Sequence, residues 1–329
     1  MGFSVSVLNS IRNNASQEYQ SRIPEATQQN IISVGNALET YGLLYNEFFP
    51  ALFNKIGKTL IESKLFKNKL ARFKSGSILT QQDVEEMFIE MSKAEGAYDK
   101  TGPNPLGRRT GPDVKVVYHR QNRQDYYAIT IGDLDVVRVF RSEASLDTFI
   151  TGLFNSVYSG AEYDEWQAMK NLLATYDGYF DYNVSAIAGE DTAKAFVKTV
   201  RKASQDMTFA SKYYNKAGVM TWTPVNKQVL FVNKDVLAEV DVEVLSKAFN
   251  MGKTDIQVEV VSMDDFGSLE NTYALLVDES FFRVWDTLSK MEPQRNAQGL
   301  FTNYFYHVHQ ILSLSPFKNA VRFAVEGGA

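Results

Sequence analysis

The chain has 329 residues, 44% of them apolar and 13% aromatic, with a formal net charge of −5. That is enough apolar surface for one large core or two smaller ones in a globular protein. The acidic balance excludes a protein whose main task is gripping nucleic acid, which takes a clustered surplus of Lys and Arg, and the lack of cysteine excludes disulfides, thiolate metal sites and cysteine nucleophiles together.

A cysteine-free chain also fits a cytoplasmic folding site. No apolar run approaches the roughly 18 to 20 residues that span a bilayer, and the N-terminus has no secretion signal, so no membrane partner is expected. "MGFSVS" matches an acylation pattern only through Gly2 and Ser6, a match that recurs by chance. The 22 Phe and 17 Tyr exceed what one core needs, and aromatics concentrate at buried interfaces, so self-assembly is an expectation from composition.

In chain order, residues 1–30 are rich in Asn, Gln and Ser without a sustained period and read as an extended arm. From Ile31 to Ile61 apolar residues recur at helical spacing, through Leu38, Tyr41, Leu44 and Tyr45, with Pro50 ending or kinking that helix before a second piece through Leu52, Ile56 and Leu60. "KLFKNKLARFK" (64–74) is basic, and Asp83 to Glu95, with Glu85, Glu86 and Glu90, reads as an acidic helix. Segregated opposite charges suit contact with a neighbour. Residues 97–113 collect prolines and glycines into an exposed loop tip. Val114 to Ile131 reads as two strands about a polar turn near Asn122, so 62–131 forms a two-legged excursion.

Ser142 to Tyr158 is an amphipathic helix, and Ser159 with Glu162 matches a capping box that opens a second helix, Gly160 to about Tyr176, with Tyr163, Trp166, Met169, Leu172 and Leu173 inward. A third helix spans about Asp191 to Ala203, its acids and bases arranged as the macrodipole favours. Beyond Gln228 come the strand "QVLFVN", a helix from Asp241 through Phe249, the strands "IQVEVV" and "YALLVD", and "FFRVWDTL". The class is α+β, without internal repeats.

Chemistry is thin. "NMGKTD" (250–255) ends like a phosphate-binding loop, but position 247 is Lys where that motif needs glycine, and Gly252 reads as a helix C-cap. The carboxylate pairs Asp133/Asp135, Glu85/Glu86 and Asp264/Asp265 have no base, nucleophile or oxyanion donor placed beside them and read as turn and surface acids. His119 has no recognisable partner. His307 and His309, two apart on a strand, put both rings on one face and are the best metal candidates; packing residues in a strand covered on both faces is the other reading. No catalytic residue, cofactor or metal is assigned.

The segments "HRQNRQDYY" (119–127), "DVEVLSKAFNM" (241–251), "WDTLSKMEPQRNAQGLF" (285–301) and "YHVHQILSLSPFKNAVRF" (306–323) resemble the major capsid proteins of the short-tailed phages of the phi-29 group, over nearly the whole chain. The resemblance implies the Hong Kong 97-type capsid fold: an N-terminal arm (1–35), an extended loop (62–131), a peripheral domain (36–61, 132–180 and 301–329) with a spine helix at 160–176, and an axial domain (181–300). No immunoglobulin-like domain is expected after "VEGGA". It further implies self-assembly through pentamers and hexamers, scaffolding and portal proteins as partners during assembly, packaged double-stranded DNA held without sequence specificity, assembly in the cytoplasm of a bacterial host and residence in the virion capsid. Lys64, Lys67, Lys69, Arg72 and Lys74 then become candidates for pairing with Asp83, Glu85, Glu86 and Glu90 of a neighbouring subunit. On that reading, reversing Arg72 and Lys74 to Glu leaves folded protein without shells. An encapsulin-like compartment, or a metal enzyme using His307 and His309, are the alternatives.

Overall fold

A computed structural model of the protein describes residues 3–41, 44, 48, 51, 66–79, 82–92, 111–132, 143–240 and 258–325. Residues 3–22 are helical where an extended arm was expected: α1 (Phe3–Asn14) and α2 (Gln17–Arg22) join α3 (Ile31–Thr40), the start of the helix expected from Ile31, and gather Val5, Leu8, Ile11, Tyr19, Ile23, Val34 and Leu38 into one buried cluster. The polar residues that argued for an open chain instead satisfy backbone groups at helix ends and turns. Ser16 accepts from Tyr19 N at 3.2 Å, Arg12 donates to the carbonyls of Ile23 and Gln20, and Asn9 exchanges two bonds with Ala26.

The predicted pair of helices is a single one, α4 (Glu143–Thr175), of 33 residues and hence about 50 Å long. Val157, Ala161, Glu165, Met169 and Leu173, each four residues after the last, are all buried, so one stripe runs through the supposed junction. Ser159 and Glu162 do not cap α4. Their side chains accept from the amides of Phe66 (3.3 Å) and Asn68 (3.1 Å), a segment that lies across the helix. Tyr163, expected inward, is exposed and meets Phe66 edge-on.

The first sheet contains β1 (Gly76–Ser77), β4 (Arg123–Gly132), β9 (Phe282–Asn296) and β10 (Phe301–Leu314) in the order β1-β9-β10-β4. A second holds β5 (Phe180–Val184), β6 (Gln228–Asn233), β7 (Glu259–Met263), β8 (Thr272–Asp278) and β11 (Ala320–Val325) in the order β5-β11-β8-β6-β7. Its central strands are apolar throughout because both faces are covered. Val229, Phe231, Leu275 and Val277 meet Met169 and Leu173 of α4, while Leu230, Val232, Ala274 and Leu276 meet Phe196, Val197 and Val200 of α5 (Glu190–Asp206). The short α6 (Lys234–Glu239) follows β6. The first sheet carries α1–α3 and the first half of α4 over Ile129, Ile131, Tyr304 and Met291.

The third sheet is a two-stranded antiparallel ribbon of β2 (Val84–Ile89) and β3 (Val114–His119). The acidic helix expected at 83–95 is therefore a strand over the part described: Val84, Glu86 and Phe88 turn inward and Glu85, Met87 and Ile89 outward, a period of two that the neighbouring acids obscured. β3 and β4 flank the predicted turn near Asn122, but β3 pairs with β2 and β4 with β10. The sheets also interleave across the division expected at 300/301, since β9 pairs along its length with β10, and β11 joins the sheet of β6 and β8. The loop tip up to residue 110, the piece through Leu52, Ile56 and Leu60, the helix 241–249 and Gly252 lie outside the described residues.

Candidate functional site

Two polar clusters tie the elements together. The first surrounds Glu165, a carboxylate in the middle of the apolar stripe of α4. Lys74 Nζ lies 2.8 Å from Glu165 Oε2 and 2.8 Å from Asp286 Oδ1, and Asn68 Nδ2 donates to Glu165 Oε1 at 2.8 Å. Gln310 Nε2 donates to both Glu165 and Asp286, while its carbonyl accepts from Arg123 Nη1 at 2.6 Å. The chain continues through Tyr127, which accepts from Arg123 and donates to Asp164 at 2.7 Å. Burial alone lowers the Lys74 pKa, but the charges and hydrogen bonds of Glu165 and Asp286 outweigh it and raise the ammonium's pKa above its ordinary value. Burial raises that of Glu162. The cluster joins the segment 66–78, α4, β9, β10 and β4, so it organises the fold.

The second lies under the ribbon. Glu86 Oε1 accepts from Arg283 Nε (3.0 Å), Arg283 Nη2 (2.6 Å) and Ser315 Oγ (2.9 Å), and Glu86 Oε2 is 3.0 Å from His119 Nε2. His119 is buried, stands near Trp285 and bonds Ser313 Oγ through Nδ1 at 2.7 Å. Its partners come from positions 86 and 313, too far along the chain for sequence to show; reading 84–89 as a strand would at least have turned Glu86 to the inner face. Burial pushes the Glu86 pKa up, but the bonds from His119, Arg283 and Ser315 and the Arg283 charge bring it down to about 2, against an ordinary 4.5. A depressed carboxylate contributes stability that is complete above the unfolded pKa and is lost as pH falls toward the folded one. Stability is therefore expected to drop between about pH 4.5 and about pH 2, with Glu86 accounting for on the order of 1–2 kcal/mol after allowing for partial solvent contact. Urea unfolding at pH 7 and pH 3 checks this: Glu86→Gln should flatten the difference, and an unchanged difference would refute it.

The charged residues singled out as inter-subunit candidates are mostly engaged within the chain. Arg72 pairs with Glu259, Lys74 with Glu165 and Asp286, Asp83 with Arg120 at 3.2 Å, Glu86 as above, and Glu90 with Lys212 at 2.9 Å. Lys67, Lys69 and Glu85 are exposed; Lys64 lies outside the described residues. Asp264 and Asp265 both hold Lys170 Nζ, at 3.1 Å and 3.0 Å, and Asp133 and Asp135 are outside the described residues.

His307 and His309 do share a face of β10, opposite Lys290 and Leu288 of β9. Their neighbours are rings: Tyr126 lies 6.1 Å and Phe305 6.4 Å from His307. Among the described residues no group of three or more His, Asp or Glu could hold a metal ion. The Nδ1 of His309 is buried with no hydrogen-bond partner. Replacing both with Phe is therefore expected to change unfolding free energy by no more than about 1 kcal/mol, measured by denaturation with and without divalent metal; a metal-dependent shift in the parent that the double variant loses would reinstate the ligand role.

Solved structures with the same arrangement include phage capsids. The capsid of Staphylococcus phage Andhra superposes with a TM-score of 0.65 over 80% of this chain and 85% of that one, at 12% identity, and the mature capsid of bacteriophage PhiM1 with 0.53 over 81% and 90%, at 8% identity. The fold is the Hong Kong 97-type capsid fold. Residues 8–324 match the family model described as Phi29-like phage major capsid protein. The major capsid proteins of Bacillus phage B103 (35% identical, 97% of this chain and 72% of that protein) and Streptococcus phage Cp-1 (29% identical, 98% and 94%) are similar. The chain belongs to the Phi29-like phage major capsid protein family. It is a structural protein of the virion capsid of a tailed phage and associates with its own copies into shells.

Proposed function

We propose that the ribbon of β2 and β3 is the base of the extended loop and supplies a contact between subunits through its outer face. The observation that carries this is the set of apolar side chains it turns to solvent: Met87, Ile89, Val114, Val116 and Tyr118, the last 58% exposed. Apolar side chains grouped like this on a folded surface mark a site that another protein covers. Residues 143–175 would be the spine, the sheet of β5 to β8 with β11 the axial domain, and the sheet of β9 and β10 the peripheral one. Exposed Lys67, Lys69 and Glu85 remain candidates for pairing across the boundary.

The shell would be non-enzymatic, assemble in the host cytoplasm with scaffolding and portal proteins, and enclose double-stranded DNA. The net charge of −5 favours that last role, since a wall rich in unpaired cations would hold DNA by counterion release and hinder its movement. The test is Met87→Glu with Val116→Glu. Both sites are exposed, so the melting temperature should move by no more than about 2 °C, while shells seen by negative-stain microscopy of protein co-expressed with its scaffolding protein should disappear. Normal shells from the double variant would sink the assignment.

A further inference from the structure

The ribbon is inside out. Its solvent face is apolar apart from Glu85, whereas the face turned to its own chain carries Glu86, Lys115 and His119 beside Val84, Phe88 and Val117. The body answers with polar groups: Arg283, Ser313 and Ser315 at the base, then the Ala217 carbonyl, which accepts from Lys115 Nζ at 2.6 Å, and Lys212, which holds Glu90 just beyond β2. Ring contacts on this side are Phe88 with Phe317, at 5.6 Å, and His119 with Trp285, at 5.8 Å.

Both legs below the ribbon are pinned independently of that face. On one side Ile78 N donates to Asp286 O at 2.9 Å. On the other, Asn122 exchanges two 2.8 Å bonds with the backbone of Leu312. Above these pins, on β2 itself, stands Glu86, bonded to the body by Arg283 of β9 and Ser315 just beyond β10 and within the ribbon by His119 of β3.

We infer that Glu86, closed on Arg283, Ser315 and His119, is a latch that fixes the ribbon against the body, and that it opens without either large sheet coming apart. An apolar dock would loosen gradually with lost area, and its failure would spread into the core. A charged node fails as a unit, because removing the carboxylate's charge leaves the partly buried Arg283 facing a neutral partner. The two pinned legs then act as the hinge. Once released, a two-stranded ribbon is only marginally stable in water, so its own amides lose protection while those of the five-stranded sheet keep theirs. The latch stands on this geometry alone; its consequence, that subunits can present the apolar face at different angles, rests on the proposed role of that face in assembly.

Hydrogen exchange on the full-length, unassembled chain tests the latch apart from assembly. In Glu86→Gln, amides of residues 84–89 and 114–119 should exchange at least tenfold faster, while those of β6, β8 and β11, exposed only by global unfolding, stay far better protected than the ribbon's. Ser315→Ala, which keeps the charge, should give a smaller rise confined to the same residues. Unchanged ribbon exchange in both variants overturns the proposal, and so does a ribbon that exchanges as slowly as the five-stranded sheet, which would mean that the two open together. If Glu86→Gln does not fold, Ser315→Ala decides alone by the same two criteria. Loss of shells in the outer-face variant, whatever its exchange, speaks only to the assembly reading.

Discussion

Lys74→Glu is expected to prevent folding, and Arg72→Glu to be tolerated. The two residues stand close together in a basic segment that the sequence offers as a block for contact with a neighbour, yet the structure gives them different physical roles. Arg72 pairs with Glu259 at the surface, each side chain 45% exposed, and such a pair contributes about 0–1 kcal/mol. Lys74 is mostly buried, between Glu165, itself 4% exposed, and Asp286. Removing one partner of a buried ion pair costs about 3–5 kcal/mol because the remaining charge has nothing to meet. A glutamate there would set a third carboxylate against two, a loss comparable with the whole stability of a typical domain.

The measurement is soluble yield and chemical unfolding of each single variant. Lys74→Glu that is soluble and unfolds like the parent would show that the hub does not hold the fold. Lys74→Met is the gentler form, expected to fold with a loss of about 3 kcal/mol. The reversal of both Arg72 and Lys74, read from sequence as a probe of assembly alone, is therefore a probe of folding.

What the sequence made legible was local. The apolar runs of β6 and β8 announced strands buried on both faces, and the acidic start of α5 announced its N-terminus. The four segments quoted for the family sufficed for the fold. What it hid depended on partners distant along the chain. Ser159 and Glu162 formed a capping pattern, but the amides they satisfy belong to Phe66 and Asn68, about ninety positions earlier. His119 lacked a partner until the ribbon placed Glu86 beside it and β10 brought Ser313. In sequence Glu165 is one more polar position on a helix, because its burial depends on Asn68 and Lys74 of one distant segment and Gln310 of another. The N-terminal helices were missed for a different reason: a composition rich in Asn, Gln and Ser is shared by open chains and by closely packed short helices whose ends are capped by side chains.

Phe282→Ala is expected to cause the other large loss. Phe282 is the first residue of β9, just where the chain leaves the five-stranded sheet and enters the four-stranded one, and it is 1% exposed. Its ring stacks on Phe73 at 5.7 Å and meets Phe231 and Phe281 edge-on at 6.2 and 6.3 Å, so it joins the segment before β1, the central strand of one sheet and the start of the other. Truncation removes the ring and leaves a cavity that aromatics on three elements cannot all close, at about 3–5 kcal/mol. Phe282→Leu should lose roughly 1–2 kcal/mol, since most of the volume stays. The location matters more than the size of the loss. Among the described residues the two sheets are tied by buried apolar contact through α4, Leu70, this crossing and Leu312 of β10, so weakening the crossing is expected to split a single unfolding transition into two, visible by calorimetry. A shell subunit must carry force between the parts that meet different neighbours, so Phe282→Ala should also give shells that open at lower temperature than the parent's. A single calorimetric transition at the parent's midpoint would show that the other contacts suffice to hold the sheets together.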